Sequence, residues 1–173
     1  ATYKVTGLSV VGGVTLEGDG PQKTIIYSTT NAVIVDAVEG TGDYVSTGPI
    51  IRNLQIRGLT SAGSSQIGLQ LTDNLYYRDA VISDVEVRNA GGAGIYEGLI
   101  FSSSFTNVRS TNNTGYNWLI VSPNMPDNRH EKVYSGVVNV AASAGFRIRQ
   151  GAFFCYNCNG IDGGTANAWA VVG

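Results

Sequence analysis

The sequence predicts an all-β chain wound into a right-handed parallel β-helix. Two features carry that expectation: a four-residue signature that recurs along the chain, and a second strand that follows each copy. The signature is an apolar residue, two mostly polar ones and another apolar residue. It stands at Ile51-Arg52-Asn53-Leu54, Ile82-Ser83-Asp84-Val85, Phe105-Thr106-Asn107-Val108, Tyr134-Ser135-Gly136-Val137 and Cys155-Tyr156-Asn157-Cys158, at uneven intervals. The strands that follow begin at Gly68, Gly94, Trp118, Gly145 and Ala168, at intervals that are also uneven. Two registers sharing one irregular period in the twenties describe a solenoid. Leucine-rich repeats share that period, but nine leucines cannot supply their framework. What remains is a stack of parallel strands about 4.8 Å apart, with insertions absorbed in the loops. Crossovers between parallel strands are right-handed in nearly every case, which sets the expected hand. At about 25 residues per coil, roughly seven coils are expected.

Composition agrees with this and narrows the function. The 173 residues suffice for one domain with a sizeable core. Only 14% are charged, against about 25% in a typical soluble domain, and 23 are glycine. A coil in which half of each strand faces an apolar interior, with corners built from Gly, Asn and Ser, accounts for both. Eleven basic and 13 acidic residues give a net charge of −2, no electrostatic footprint for nucleic acid. No apolar run approaches a membrane span, so membrane insertion is not expected. Two cysteines cannot staple a chain of this size, and the core must stand on apolar packing.

Residues 1–48 read as N-terminal coils and residues 49–173 as regular coils of a single segment. In the first part, Thr6–Val11, Gly13–Glu17, Lys23–Tyr27 and Ala32–Val35 are strand-like and divided by Gly, Pro and Asn turns. Gly18-Asp19-Gly20-Pro21-Gln22-Lys23-Thr24 imitates a phosphate-binding loop, but lacks the glycine before the lysine and a following helix. It reads as a turn. Both ends, Ala1–Val5 and Ala168–Gly173, are strand-like and carry no polar cap, so the chain is expected to be a slice of a longer column. The alternative is a last strand that pairs with a neighbouring subunit.

Thr2-Tyr3-Lys4-Val5, Gly13-Val14-Thr15-Leu16-Glu17-Gly18-Asp19-Gly20-Pro21 and Thr24-Ile25-Ile26 resemble the opening coils of the pectate-lyase-like superfamily, in the branch found in bacteriophage tailspikes and related glycan-acting proteins. The resemblance implies a tailspike or tail-fibre segment of a virion. Such a segment is homotrimeric, held by other virion tail proteins, and binds a bacterial surface polysaccharide. Whether it also cleaves that polysaccharide, as a hydrolase or lyase, stays open, because the superfamily includes enzymes and inert fibres. Two alternatives stand beside it: a freestanding, secreted bacterial lyase, hydrolase or epimerase of the same fold, and a purely structural virion appendage. Arg147-Ile148-Arg149 is similar to a strand of polygalacturonases, but the Asn-Thr-Asp, Asp-Asp and Gly-His-Gly motifs of that family are absent.

Strand alternation selects the candidate site. If Val85 and Val87 point inward, Asp84, Glu86 and Arg88 point outward. Asn53, Gln55 and Arg57 match them one coil below, and Asn107, Arg109 and Thr111 one coil above. The resulting columns, Asn53/Asp84/Asn107 and Gln55/Glu86/Arg109, suit the hydroxyl groups of an extended glycan and equally suit solvent. Glycoside hydrolysis needs two carboxylates about 5–9.5 Å apart. Asp84 and Glu86, about 7 Å apart as i and i+2 neighbours, and Glu97 on the next strand are the candidate catalytic acids. Asp73 and Asp79 flank a turn holding Tyr76 and Tyr77. Those two tyrosines with Tyr96, Tyr116 and Trp118 could stack on sugar rings or cover the core or a subunit interface.

His130 lies in Asp127-Asn128-Arg129-His130-Glu131-Lys132, which reads as an exposed crossing loop with a solvated charge run. A lone histidine disfavours a nucleophilic triad or a metal site, and no cofactor is expected. Cys155 and Cys158 continue the interior columns and read as stacked core thiols. Asn112-Asn113-Thr114 is a formal glycosylation sequon.

Overall fold

A strand with strict alternation cannot bury both the first and the fourth residue of a signature, because they would face opposite sides. The third residue resolves the conflict. In the computed structural model, which describes residues 1–38, 46–71, 77–98, 100–121, 128–136, 144–148, 154–160 and 167–171, that residue is left-handed in every coil. Asn53, Asp84, Asn107, Lys132 (the fourth signature starts in the structure at His130, not at Tyr134) and Asn157 have φ of 58°, 52°, 52°, 54° and 54°. The bend lets two successive side chains point out while Ile51 and Leu54, Ile82 and Val85, and Phe105 and Val108 all point in and are buried. Asn and Asp adopt this conformation more readily than other non-glycine residues. Lys132 is the departure from that rule. Lys132→Asn is expected to raise stability by roughly 0.5–1 kcal/mol in urea unfolding, and an unchanged midpoint would argue against strain at this corner.

Every strand pairing among the described residues is parallel. The main path of an eleven-stranded first sheet stacks Thr2–Lys4, Ile25–Tyr27, Ile50–Arg57, Val81–Arg88, Ser104–Thr106, Arg129–Glu131 and Phe154–Tyr156. A seven-stranded second sheet stacks Leu8–Val11, Val35–Val38, Leu69–Leu71, Ile95–Glu97, Trp118–Ile120, Ala144–Ile148 and Asn167–Val171. Ser46–Thr47, Tyr77–Arg78 and Ile100–Phe101 form a short third sheet. The chain is thus a parallel β-solenoid of about five turns, without helix among the described residues. The expected seven coils are slightly too many, since only five turns carry the signature and the N-terminal strands add short stacked segments.

The register of the fourth coil differs from the expected one. His130, not Tyr134, pairs with Phe105 below and Cys155 above, so the fourth signature is His130-Glu131-Lys132-Val133. Tyr134 pairs instead with Arg109. The signatures then begin at Ile51, Ile82, Phe105, His130 and Cys155, a more even series than the expected one. His130 is accordingly a fully buried strand residue rather than part of a solvated loop. The charge run conceals a plain alternation, with Arg129 exposed, His130 buried and Glu131 half-buried. Cys155 and Cys158 are also corrected: they form a disulfide, not a pair of stacked thiols. The left-handed bend at Asn157 brings their Cα atoms to 5.8 Å, within disulfide reach.

Inside the column, Phe105 meets Trp118 edge-on with ring centroids 5.7 Å apart, and Trp118 stacks on Phe146 at 5.8 Å. Each fully buried side chain of this size contributes about 1.5–3 kcal/mol. Corners are closed by buried polar side chains that bond the coil above or below. Ala80 N–H donates to Ser103 Oγ, and Ser103 N–H donates to Asn128 Oδ1 at 2.9 Å. Ala90 N–H donates to Asn113 Oδ1 at 2.8 Å, while Asn117 Nδ2 donates to the Gly136 carbonyl at 2.7 Å. These bonds satisfy backbone groups that a buried corner would otherwise orphan. Close corner packing also demands glycine at position 92, where a Cβ would collide with the Ser64 carbonyl.

Candidate functional site

The outward columns of the first sheet form as the alternation requires. Gln55, Glu86, Arg109, Tyr134 and Asn159 are in register on successive coils. Beside them run the bend residues, where Asn107 Nδ2 donates to Asp84 Oδ1 at 2.6 Å and Asn53 Nδ2 donates to Glu17 Oε1 at 3.2 Å. The lower coils carry a groove of about 410 Å³ against this face. Asp84, Val85, Glu86, Asn107 and Arg109 form one wall, and Asp19, Gly20, Pro21, Gln22 and Lys23 the other.

The second wall is fixed by backbone bonds. Gly18 N–H donates to the Arg52 carbonyl at 3.0 Å and Gly20 N–H to the Asn53 carbonyl at 2.7 Å. Asp19 N–H donates to Thr24 Oγ1 at 3.0 Å, which closes the turn. Gly20 has φ of 124°, a conformation that L side chains avoid. Next to the turn, Arg52 donates to Glu17 at 2.9 Å. That hydrogen bond, with the guanidinium charge, holds the Glu17 carboxyl below its ordinary value and keeps it ionised into acid.

The groove unites four of the candidate residues: Asp84, Glu86, Asn107 and Arg109. Their chemistry is that of acceptors and donors already held in place. Glu86 accepts from Gln55 Nε2 at 2.5 Å and lies 3.8 Å from Arg88. Gln55 Oε1 in turn accepts from Arg57 Nε at 2.9 Å. With both ends bonded and only 3% of its surface exposed, Gln55 braces Glu86 and is not an exposed rung of the ladder. Arg109 is exposed and lies over the Tyr134 ring, 5.5 Å from its centroid.

The other candidates among the described residues stand outside this groove. Glu97 does not face outward: it is fully buried, in register between Leu71 and Ile120. His130 Nε2 lies 3.0 and 3.1 Å from its two carboxylate oxygens. The imidazole stacks flat on Phe105 at 4.7 Å and meets Trp118 edge-on at 6.0 Å. Trp118 is likewise fully buried and belongs to the core, not to a sugar platform. Tyr96 is half-buried on the second sheet, outside the groove lining, between Gln70 and Leu119. Tyr116 is on that side too, with the Arg147 guanidinium 4.8 Å above its ring. Asp79 is exposed and has a φ of 59°. Asp73, Tyr76 and Arg149 lie outside the described residues, as does the side chain of Tyr77.

Two parts of this surface are not expected from the sequence. The Asp19–Lys23 turn reads there as a simple connection, although its glycine spacing does signal a tight, rigid turn. Tyr134 is hidden because the sequence pattern starts the fourth signature at Tyr134 and so places it in the interior, whereas Tyr156 falls at an outward signature position in both registers. Among the described residues, no group of three or more His, Cys, Asp or Glu could hold a metal ion. Comparison of the chain with protein-family models, with curated proteins and with solved structures found no match.

Proposed function

We propose that the chain is a tailspike or tail-fibre segment that binds a bacterial surface polysaccharide along the outer face of its first sheet. The observation that carries this reading is the groove beside Asp84, Glu86, Asn107 and Arg109, where fixed carboxylates, an amide and a guanidinium line up on successive coils. Sugar hydroxyls both donate and accept, and such a row offers both. The resemblance of residues 2–26 to tailspike opening coils supports the virion setting, homotrimeric assembly and contact with other tail proteins. The disulfide supports work outside a reducing cytosol.

Binding is favoured over cleavage. Glu86 is held by a donor and faces a cation, Asp84 accepts from Asn107, and Glu97 is sealed in the core. Each acid is thus positioned as an acceptor rather than as a proton donor to a leaving group. The test is retention of the protein on immobilised capsular and O-antigen polysaccharides from a panel of bacteria. Asp84→Ala and Asn107→Ala are each expected to weaken retention at least about tenfold, the effect of one lost charge-assisted contact. No retention on any polysaccharide, or full retention in both variants, overturns the reading. New reducing ends or unsaturated products, lost in Asp84→Asn or Glu86→Gln, would move it from binding to depolymerisation.

A further inference from the structure

We infer that the polysaccharide is uncharged, and that it is followed upward from the groove by stacking on Tyr134 and Tyr156. This inference rests on the glycan-binding reading above and adds its chemical class and its path. Polyanion recognition needs a run of cations without internal partners. Most cations of the first-sheet face have an acidic partner, while Arg57 donates to Gln55 and Arg109 lies over the Tyr134 ring. Arg52 is paired with Glu17 at 2.9 Å, and Arg88 with Glu86 at 3.8 Å. Arg129 and Lys132 both pair with Glu131, at 3.1 and 3.8 Å. Around the groove itself, Glu86 is taken up by Arg88, and the remaining two acids (Asp19 and Asp84) face two bases, Lys23 and Arg109. A uronate or phosphate polymer laid there would meet a balanced wall with no excess of cations.

What the face offers above the groove is aromatic. Tyr134 stands one coil above Arg109 in the same column, its ring covered on one side by that guanidinium. Tyr156 stands one coil higher, in register with Glu131, and is 65% exposed. Asn157 and Asn159 border it as outward amides. From Glu86 to Asn159 the column climbs three coils, about 14 Å. That length and the mixture of rings and amides suit uncharged hexoses or N-acetylhexosamines, whose apolar faces stack while their hydroxyl and acetamido groups hydrogen-bond.

The test uses purified polysaccharides of known composition in two sets, one of uncharged hexoses and N-acetylhexosamines, the other containing uronate, sialate or phosphate. Binding confined to the uncharged set is expected, with Kd changing less than about twofold between roughly 50 and 500 mM NaCl. Tyr156→Ala and Tyr134→Ala should each weaken it about 3- to 10-fold, the range of one aromatic contact. Tyr156 is surface-exposed, so its variant keeps the fold, which an unchanged melting temperature verifies. Salt-sensitive binding to the charged set, or uncharged binding that ignores both tyrosines, overturns the inference and leaves the glycan-binding reading standing. Binding to neither set overturns both.

Discussion

His130→Ala is expected to lower the free energy of unfolding by about 3–5 kcal/mol, and Glu97→Ala by a similar amount. The two side chains are fully buried and meet through Nε2 and both carboxylate oxygens, at 3.0 and 3.1 Å. Removing either takes the buried His130–Glu97 contact away from the other. His130 also forfeits its stacked contact with Phe105, and alanine opens a cavity there. The pair is not required for stability as such. Glu97 stands between Leu71 and Ile120, and His130 between Phe105 and Cys155. Glu97→Leu combined with His130→Phe continues both columns with apolar side chains, and is expected to restore the stability that each alanine variant loses. Urea unfolding of the two single variants and the double variant checks this. Single variants within about 1 kcal/mol of the parent, the scale of an exposed pair, would show that the two groups are not sealed as described.

Gln66→Leu is expected to cost about 2–5 kcal/mol, although the side chains are nearly equal in size. Gln66 is fully buried and bolts three coils together. Its Oε1 accepts from Leu59 N–H at 2.9 Å on its own coil and from Gly91 N–H at 3.0 Å on the coil above. Its Nε2 donates to the Thr30 carbonyl at 2.7 Å on the coil below. Leucine supplies none of these bonds, and at least two backbone groups then lose their partner at about 1–3 kcal/mol each. Hydrogen exchange reports the site directly: the Gly91 amide should lose protection in the variant before the strand Val81–Arg88 does. An unfolding free energy equal to the parent's would mean that water replaces the amide without loss.

How much of this was legible in the sequence depends on what occupies each interior position. Ile51, Ile82 and Phe105 announce the first column because all are apolar, and the solenoid with its parallel sheets follows from them. The column then passes through His130, which no hydrophobic pattern marks as interior. Its partner Glu97 is far along the chain, and only the stacked coil brings the two together. Pattern alone misplaces Tyr134 for that reason, although Tyr156 one coil higher keeps its outward position. Glu97 has a local sign, since Ile95 at two positions' distance is interior and Glu97 shares its face. Asn53, Asp84 and Asn107 are legible as one column, but the reason for Asn or Asp there is the left-handed bend. That same bend turns Cys155 and Cys158 toward each other, a geometry that spacing alone does not reveal. The groove is half legible. One wall follows from alternation, while the other depends on hydrogen bonds from Gly18 and Gly20 to Arg52 and Asn53, on a strand distant in sequence.

Hydroxyl-radical footprinting of the protein with and without a retained polysaccharide tests the central claim, that the glycan lies along the outer face of the first sheet. Protection is expected at Tyr134, Tyr156 and the Asp19–Lys23 turn, with Tyr3, Tyr96 and Tyr116 oxidised to the same extent in both samples. Protection centred on Tyr96 and Tyr116, on the second sheet, would contradict it.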